Sequence, residues 1–302
     1  MAFSSLRALI GGGGSGNRTN TYAIFGYGDD SGKTSMTNKV SNAGVVATDT
    51  TGVGTVRQSL AAAGYGSDKA IFGYGTTGSA SSLTNKVSNA GGVATDTTGV
   101  GTARWGLAAA NYGTDKAIFG YGITSSTWVS MTNKVDNTGT VTTDTTGIGT
   151  ARQMLAAAGY GTGKAIFGYG HTGSNSSITN LISIAGGVAT DTTGVGTARY
   201  ALAAAGYGTN KAIFGYGTTG SNTSVTNLVT SAGVMETDTT GVGSARRGIS
   251  AATYGTDKAI FGYGFVGDYS SLTNKVSNAG VVATDTTGVG TSRSYLAAAS
   301  YG

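Results

Sequence analysis

The chain has 302 residues, including 54 Gly but no Cys and no Pro, and carries a formal net charge of +5 with only 11% of residues charged. Without Cys it can hold neither a disulfide framework nor a thiolate metal site, and no apolar run reaches the ~20 residues that cross a bilayer as a helix. Gly, Ser, Thr and Asn dominate, as suits short strands joined by tight turns, and the evenly spread Lys and Arg argue against the gathered basic patch of a nucleic-acid binder.

Residues 1–21 read as a flexible leader arm. Met1 to Ile10 is mildly apolar but has Arg7 inside it, and Gly11–Gly14 follows as a hinge. The charged start and long apolar stretch of a secretion signal are both missing.

Residues 22–302 are repetitive. Ile-Phe-Gly-Tyr-Gly begins at Ile24, Ile71, Ile118, Ile166, Ile213 and Ile260, in steps of 47, 47, 48, 47 and 47 residues. Thr-Asp-Thr-Thr-Gly recurs in phase and supplies Asp49, Asp96, Asp144, Asp191, Asp238 and Asp285. Eight residues after each Asp stands an Arg: Arg57, Arg104, Arg152, Arg199, Arg246 and Arg293. Repeats of this length signal a stacked or circular architecture, with units starting near residues 22, 69, 116, 164, 211 and 258.

Each repeat reads as four short strands. In the second, Ala70-Ile71-Phe72-Gly73-Tyr74 is apolar at every position but its Gly, the mark of a strand buried on both faces. A loop over 76–82 leads to the alternating Leu83-Thr84-Asn85-Lys86-Val87-Ser88, and after the turn Ala90-Gly91-Gly92 comes the β-branched run Val93 to Thr98. Leu107-Ala108-Ala109-Ala110 is too short and too closely bracketed by Gly to stand as a helix. It reads as an innermost strand, where converging blades leave room only for small side chains.

The order Arg104, Leu107–Ala110, the turn Asn111–Asp115, Lys116–Gly122, Met131–Asn137, Val141–Thr146 resembles a kelch repeat. Gly120-Tyr121-Gly122 splits the glycine pair usual in that family, and Thr-Asp-Thr-Thr-Gly replaces its Trp-bearing last strand. The resemblance implies an all-β, six-bladed propeller of four-stranded antiparallel blades. The segments Tyr22–Gly28 and Tyr295–Gly302 would pair to close it, removing two exposed sheet edges.

Several chemistry-like motifs lack their context. Gly73–Gly78, Gly168–Gly173, Gly215–Gly220 and Gly262–Gly267 fit the dinucleotide fingerprint but are followed by Ser-rich loop and strand in place of the required helix. Ser31-Gly32-Lys33-Thr34 lacks the earlier glycine of a phosphate-binding loop, because Tyr27 occupies it. The single His171 has no recurrent carboxylate near it in sequence. No catalytic residue, metal site or cofactor is expected. The Asp and Arg series, in six equivalent settings, reads as a structural ring.

Differences between repeats fall in two stretches, after Ile-Phe-Gly-Tyr-Gly and just after the recurrent Arg. In a meander both lie on one face. The candidate binding residues there are Gln58, Trp105, Trp128, Gln153, His171, Tyr200, Arg247, Phe265, Tyr269 and Tyr295, a set rich in the aromatics and Arg of recognition surfaces. The expected function is a non-enzymatic structural and binding module. Near-identical repeats, a Gly-rich arm and low charge also resemble repeat-rich structural proteins of bacteriophage virions. That resemblance implies a virion or extracellular surface component, its arm engaging other structural proteins and its variable face a host glycan or receptor. The alternative is a multivalent carbohydrate-binding propeller lectin.

Overall fold

The computed structural model describes residues 21–302. The predicted leader lies outside the described residues except for Thr21.

The Ile-Phe-Gly-Tyr-Gly segments form the middle strands of six three-stranded antiparallel sheets. Sheet 1 joins β1 (Tyr22–Asp29) and β2 (Lys33–Val40) to β18 (Ala297–Tyr301) from the far end of the chain. Sheet 2 contains β3 (Ala61–Tyr65), β4 (Lys69–Gly73) and β5 (Thr84–Val87); sheet 3 contains β6 (Ala108–Tyr112), β7 (Lys116–Gly120) and β8 (Thr132–Val135). Sheet 4 holds β9 (Ala156–Tyr160), β10 (Lys164–His171) and β11 (Asn175–Ile182), and sheet 5 holds β12 (Ala203–Tyr207), β13 (Lys211–Gly215) and β14 (Thr226–Val229). Sheet 6 is built of β15 (Ser250–Tyr254), β16 (Lys258–Phe265) and β17 (Tyr269–Val276). No described residue is helical, so no helix here could cross a membrane.

Burial of each middle strand on both faces sets the arrangement. Ile71 and Tyr74 of sheet 2 pack with Ala117, Phe119 and Val135 of sheet 3, and matching clusters fill the gaps between sheets 3 and 4, 4 and 5, and 5 and 6. Two more clusters join sheet 6 to sheet 1 and sheet 1 to sheet 2. The Ala-rich strands line the inside, where each touches the inner strand on either side. The six sheets therefore stand around an axis in a propeller-like arrangement. Small side chains let the inner strands converge, as read from the Ala runs.

The seam between the ends of the repeat is an ordinary ladder: Tyr22 pairs with Tyr301, Ile24 with Ala299 and Gly26 with Ala297. Two circuits of backbone hydrogen bonds also pass through it. At the end where the inner strands start, here called the upper face, Ser59 donates to Tyr295, Gly106 to Ser59 and Met154 to Gly106. The circuit continues from Ala201 to Met154 and from Gly248 to Ala201, and Tyr295 donates to Gly248 to complete it. At the lower face, hairpin turns are linked in the same way, and the seam is spanned by Gly255 donating to Thr21 and Gly302 donating to Asp68.

The expectation of four-stranded blades is corrected to three. The fourth segment touches its neighbour only through isolated bridges, Val87 with Val93 and Thr84 with Thr97 in sheet 2. Three residue steps on β5 face four on the outer segment, so a regular ladder cannot run between them. The Asn85 side chain fills the gap, donating to the Ala94 carbonyl at 3.0 Å and the Asp96 carboxylate at 2.9 Å.

The split glycine pair has a steric cause. Tyr74 takes a φ of 65°, in the left-handed region that a non-glycine residue rarely enters. Its ring packs against Phe119 of the next sheet, 5.2 Å between centroids. A Cβ on the preceding Gly73 would lie 2.8 Å from that same Phe119 ring, so the position excludes any side chain.

Candidate functional site

The recurrent Arg and Asp meet in a polar layer between sheets. Arg104 is fully buried. Its Nε donates to the Tyr121 carbonyl at 2.8 Å, Nη1 to the Thr102 carbonyl at 3.0 Å and Nη2 to Asn133 Oδ1 at 2.7 Å. Its guanidinium lies 4.3 Å from the ring centroid of Tyr74 on the preceding sheet. Asn133 in turn donates to the Thr142 carbonyl and to Asp144, and Asp144 accepts from the Thr102 amide and hydroxyl. Arg104 and Asp144 are 3.9 Å apart, so the close partner of the Arg is the Asn and the Asp acts mainly through it.

Burial alone would raise the Asp144 carboxyl. The Thr102 hydroxyl, Asn133, the Thr102 amide and the Arg104 charge together hold it below its ordinary value of 3.8. Burial pushes the Tyr74 phenol up to about 12 against the nearby Arg104 charge. Asp49, Asp96, Asp191, Asp238 and Asp285 are lowered for the same reasons. One copy departs from the pattern. Arg57 Nε has no partner, and its guanidinium lies closer to Asp96, at 3.3 Å. Apart from Arg57 Nε, the buried side-chain polar atoms of the layer are hydrogen-bonded.

The two variable stretches lie side by side on the upper face. Each sheet brings three positions there, one after the Arg and one from each limb of the following loop. They are Trp105–Ile123–Trp128 on sheet 3, Tyr200–Thr218–Asn222 on sheet 5 and Gln58–Thr76–Ala80 on sheet 2, joined by isolated bridges. On sheet 4, Gln153 bridges to His171, which pairs with Asn175. On sheet 6, Arg247 bridges to Phe265, which pairs with Tyr269. Sheet 1 contributes Ser294, Asp29 and Lys33. The extra residue of the 48-residue step sits in the loop between Ile123 and Trp128.

The aromatic members are grouped. Trp128, His171 and Tyr200 run edge to face across sheets 3, 4 and 5, with centroids 5.9 and 5.2 Å apart. On sheet 6 the Arg247 guanidinium lies 4.7 Å from the Phe265 centroid, and Phe265 is 5.8 Å from Tyr269. Gln58 stands apart on a sheet whose other two positions are Thr76 and Ala80. Tyr295 differs again: it is one residue past the variable position, its φ is 51°, and it lines a cavity of about 60 Å³ at the upper mouth of the axis.

Two kinds of residue escaped the sequence reading. Asn133 and its equivalents organise the polar layer, and the Thr-Asn pair that recurs in every repeat was the available signal. Asn175 and Asn222 tie neighbouring sheets on the upper face, donating to the Thr219 carbonyl at 3.0 Å and the Phe265 carbonyl at 2.9 Å. Both lie in the variable stretch after Ile-Phe-Gly-Tyr-Gly, but nothing in the sequence distinguishes them there as ties between sheets. Elsewhere, Tyr22, Tyr301, Val45 and Lys39 line a lower-face groove of about 600 Å³. No protein-family model and no curated protein matches the chain.

Proposed function

We propose that the protein is a non-enzymatic recognition module, a closed six-bladed propeller of kelch-like type that displays its upper face from a virion or another extracellular surface. One observation carries this reading: side-chain variation is gathered at the upper face, while Thr21, where the chain joins the ring, is bonded to Gly255 at the lower face. A ring held through its preceding residues would thus turn its variable side outward, toward a host glycan or receptor. Aromatic and Arg side chains on that side suit such contact. Six equivalent lectin pockets fit less well, because the three upper positions differ from sheet to sheet.

The test compares particles carrying the parent protein with particles carrying W128A/Y200A/R247A. The reading expects equal incorporation of both and loss of surface attachment only with the triple variant. Unchanged attachment, or polysaccharide hydrolysis by the purified chain, would overturn it.

A further inference from the structure

The upper face is unevenly equipped. Sheets 3 to 6 carry every aromatic ring found at its eighteen positions, whereas sheets 1 and 2 carry none. The equipped side is also cross-linked: Asn175 reaches from sheet 4 to sheet 5, Asn222 from sheet 5 to sheet 6, and Arg247 donates back to Asn222 Oδ1 at 3.2 Å. Such ties hold the side chains in place before a ligand arrives, which lowers the cost of binding.

The chemistry of this strip is specific. Trp128, His171 and Tyr200 form a continuous half-buried aromatic row. Trp128 Nε1 and Gln153 Oε1 have no hydrogen-bond partner within the protein but, like Gln58 Oε1 on sheet 2, are buried beneath the surface, so the rings are what the row presents. Arg247 has no carboxylate within ion-pair distance among the described residues, and it contacts Asn222 Oδ1 and the Phe265 ring. A partner suited to the strip offers apolar faces for the rings and a negative charge near Arg247. Sugar rings with a carboxylate or sulfate combine the two.

Resting on the recognition reading above, we infer that the strip from Trp128 through Tyr200 to Arg247 binds a single acidic oligosaccharide per chain, with the aromatic row under the sugar rings and Arg247 on the acidic group. Six symmetric sites are not formed, because the other sheets lack these side chains.

Trp105 and Trp128 are the only two tryptophans and both belong to sheet 3, so indole fluorescence reports on this region. In the W105F background, Trp128 is the sole reporter. The probes are oligogalacturonate, oligosialate and an uncharged maltooligosaccharide of matched length. The expected result is saturable quenching by at least one acidic probe, at one equivalent per chain, weakened by added salt.

W128A (followed by calorimetry) and Y200A should each weaken binding about tenfold or more. R247A should reduce the affinity of the acidic probe to that of the neutral one. V281S, at an exposed lower-face position, should titrate like the parent. Melting curves of the three strip variants within a few degrees of the parent would exclude misfolding as the cause.

Equal binding of neutral and acidic probes, several equivalents per chain, or insensitivity to both Y200A and R247A would overturn the inference. So would failure of all three probes. If in that case a protein receptor still bound through the upper face, recognition would stand and only the saccharide assignment would fall.

Discussion

The polar layer between sheets and the strip on the upper face are built from similar chemistry, yet they behave as opposites. In the layer, Arg, Tyr, Asn and Asp recur six times among matching neighbours, and nearly every polar atom is engaged. On the strip, Arg247, Tyr200 and Trp128 occur once each, and polar atoms are left without protein partners. An Arg over an aromatic ring is thus no indicator of function by itself. What separates Arg104 over Tyr74 from Arg247 over Phe265 is whether the remaining donors are already satisfied. Repetition fixes the frame, and the departures from it gather on the upper face.

The largest effect that could break this contrast concerns the seam. Deleting Ala297–Tyr301 removes the strand partner of β1 and side chains from two core clusters. The expected outcome is loss of a monomeric folded species by size-exclusion chromatography and circular dichroism, with association through the newly exposed edge. A melting curve unchanged by the deletion would show that the seam contributes nothing.

Next comes the layer itself. Asn133→Ala withdraws the acceptor of buried Arg104 and one donor to Asp144. Leaving a donor of a buried guanidinium unsatisfied costs about 1–3 kcal/mol or more, to be read from urea unfolding. Gln58→Ala on the upper face should change the same measurement by less than about 0.5 kcal/mol.

Titration sharpens the contrast further. The Asp carboxyls of the layer are lowered from 3.8, so their stabilisation is complete above that value and is lost as the pH falls through the lower folded values. The buried phenols of Tyr74, Tyr169 and Tyr263 are raised from 10.0 to about 12. Their neutral forms are the ones the fold holds, so that stabilisation is intact below pH 10 and is lost as the pH rises toward 12. Melting temperature should be flat from about pH 5 to 9 and fall on both sides. A slope within that plateau would point to groups outside the layer.

The smallest expected loss within the layer is Tyr74→Phe. It keeps the ring contacts to Phe119 and Arg104 but removes one hydrogen bond, from the phenol to the Val100 carbonyl at 3.0 Å. A cost of about 1 kcal/mol follows. A cost several times larger would mean that the hydroxyl, and not ring packing, fixes the positive-φ backbone.

Much of this frame was legible in the repeat. The doubly buried Ile-Phe strand, the inward Ala run and the gathering of variable positions on one face follow from side-chain size, periodicity and meander topology. The fourth strand was misread because Val93 to Thr98 has the β-branched composition of a strand. Strand propensity cannot reveal that one outer residue is in excess or that Asn85 replaces a ladder rung. On the upper face, sequence supplied the candidates but not their grouping. That Trp128 reaches across to His171 and on to Tyr200, while Gln58 remains apart, depends on which repeats are neighbours around the axis and how far each loop leans.

The lower-face contacts of Gly302 and Thr21 give the ring an unusual freedom. Five lower-face hairpin turns are covalent, whereas in sheet 1 residues 302 and 21 bond to the neighbouring sheets at Asp68 and Gly255. Joining residues 302 and 21 with a short peptide and opening another lower turn, such as Gly208–Asn210, would yield a circular permutant with the same strand neighbours. Cargo fused at either site would hang beneath the disc and leave the opposite side unobstructed.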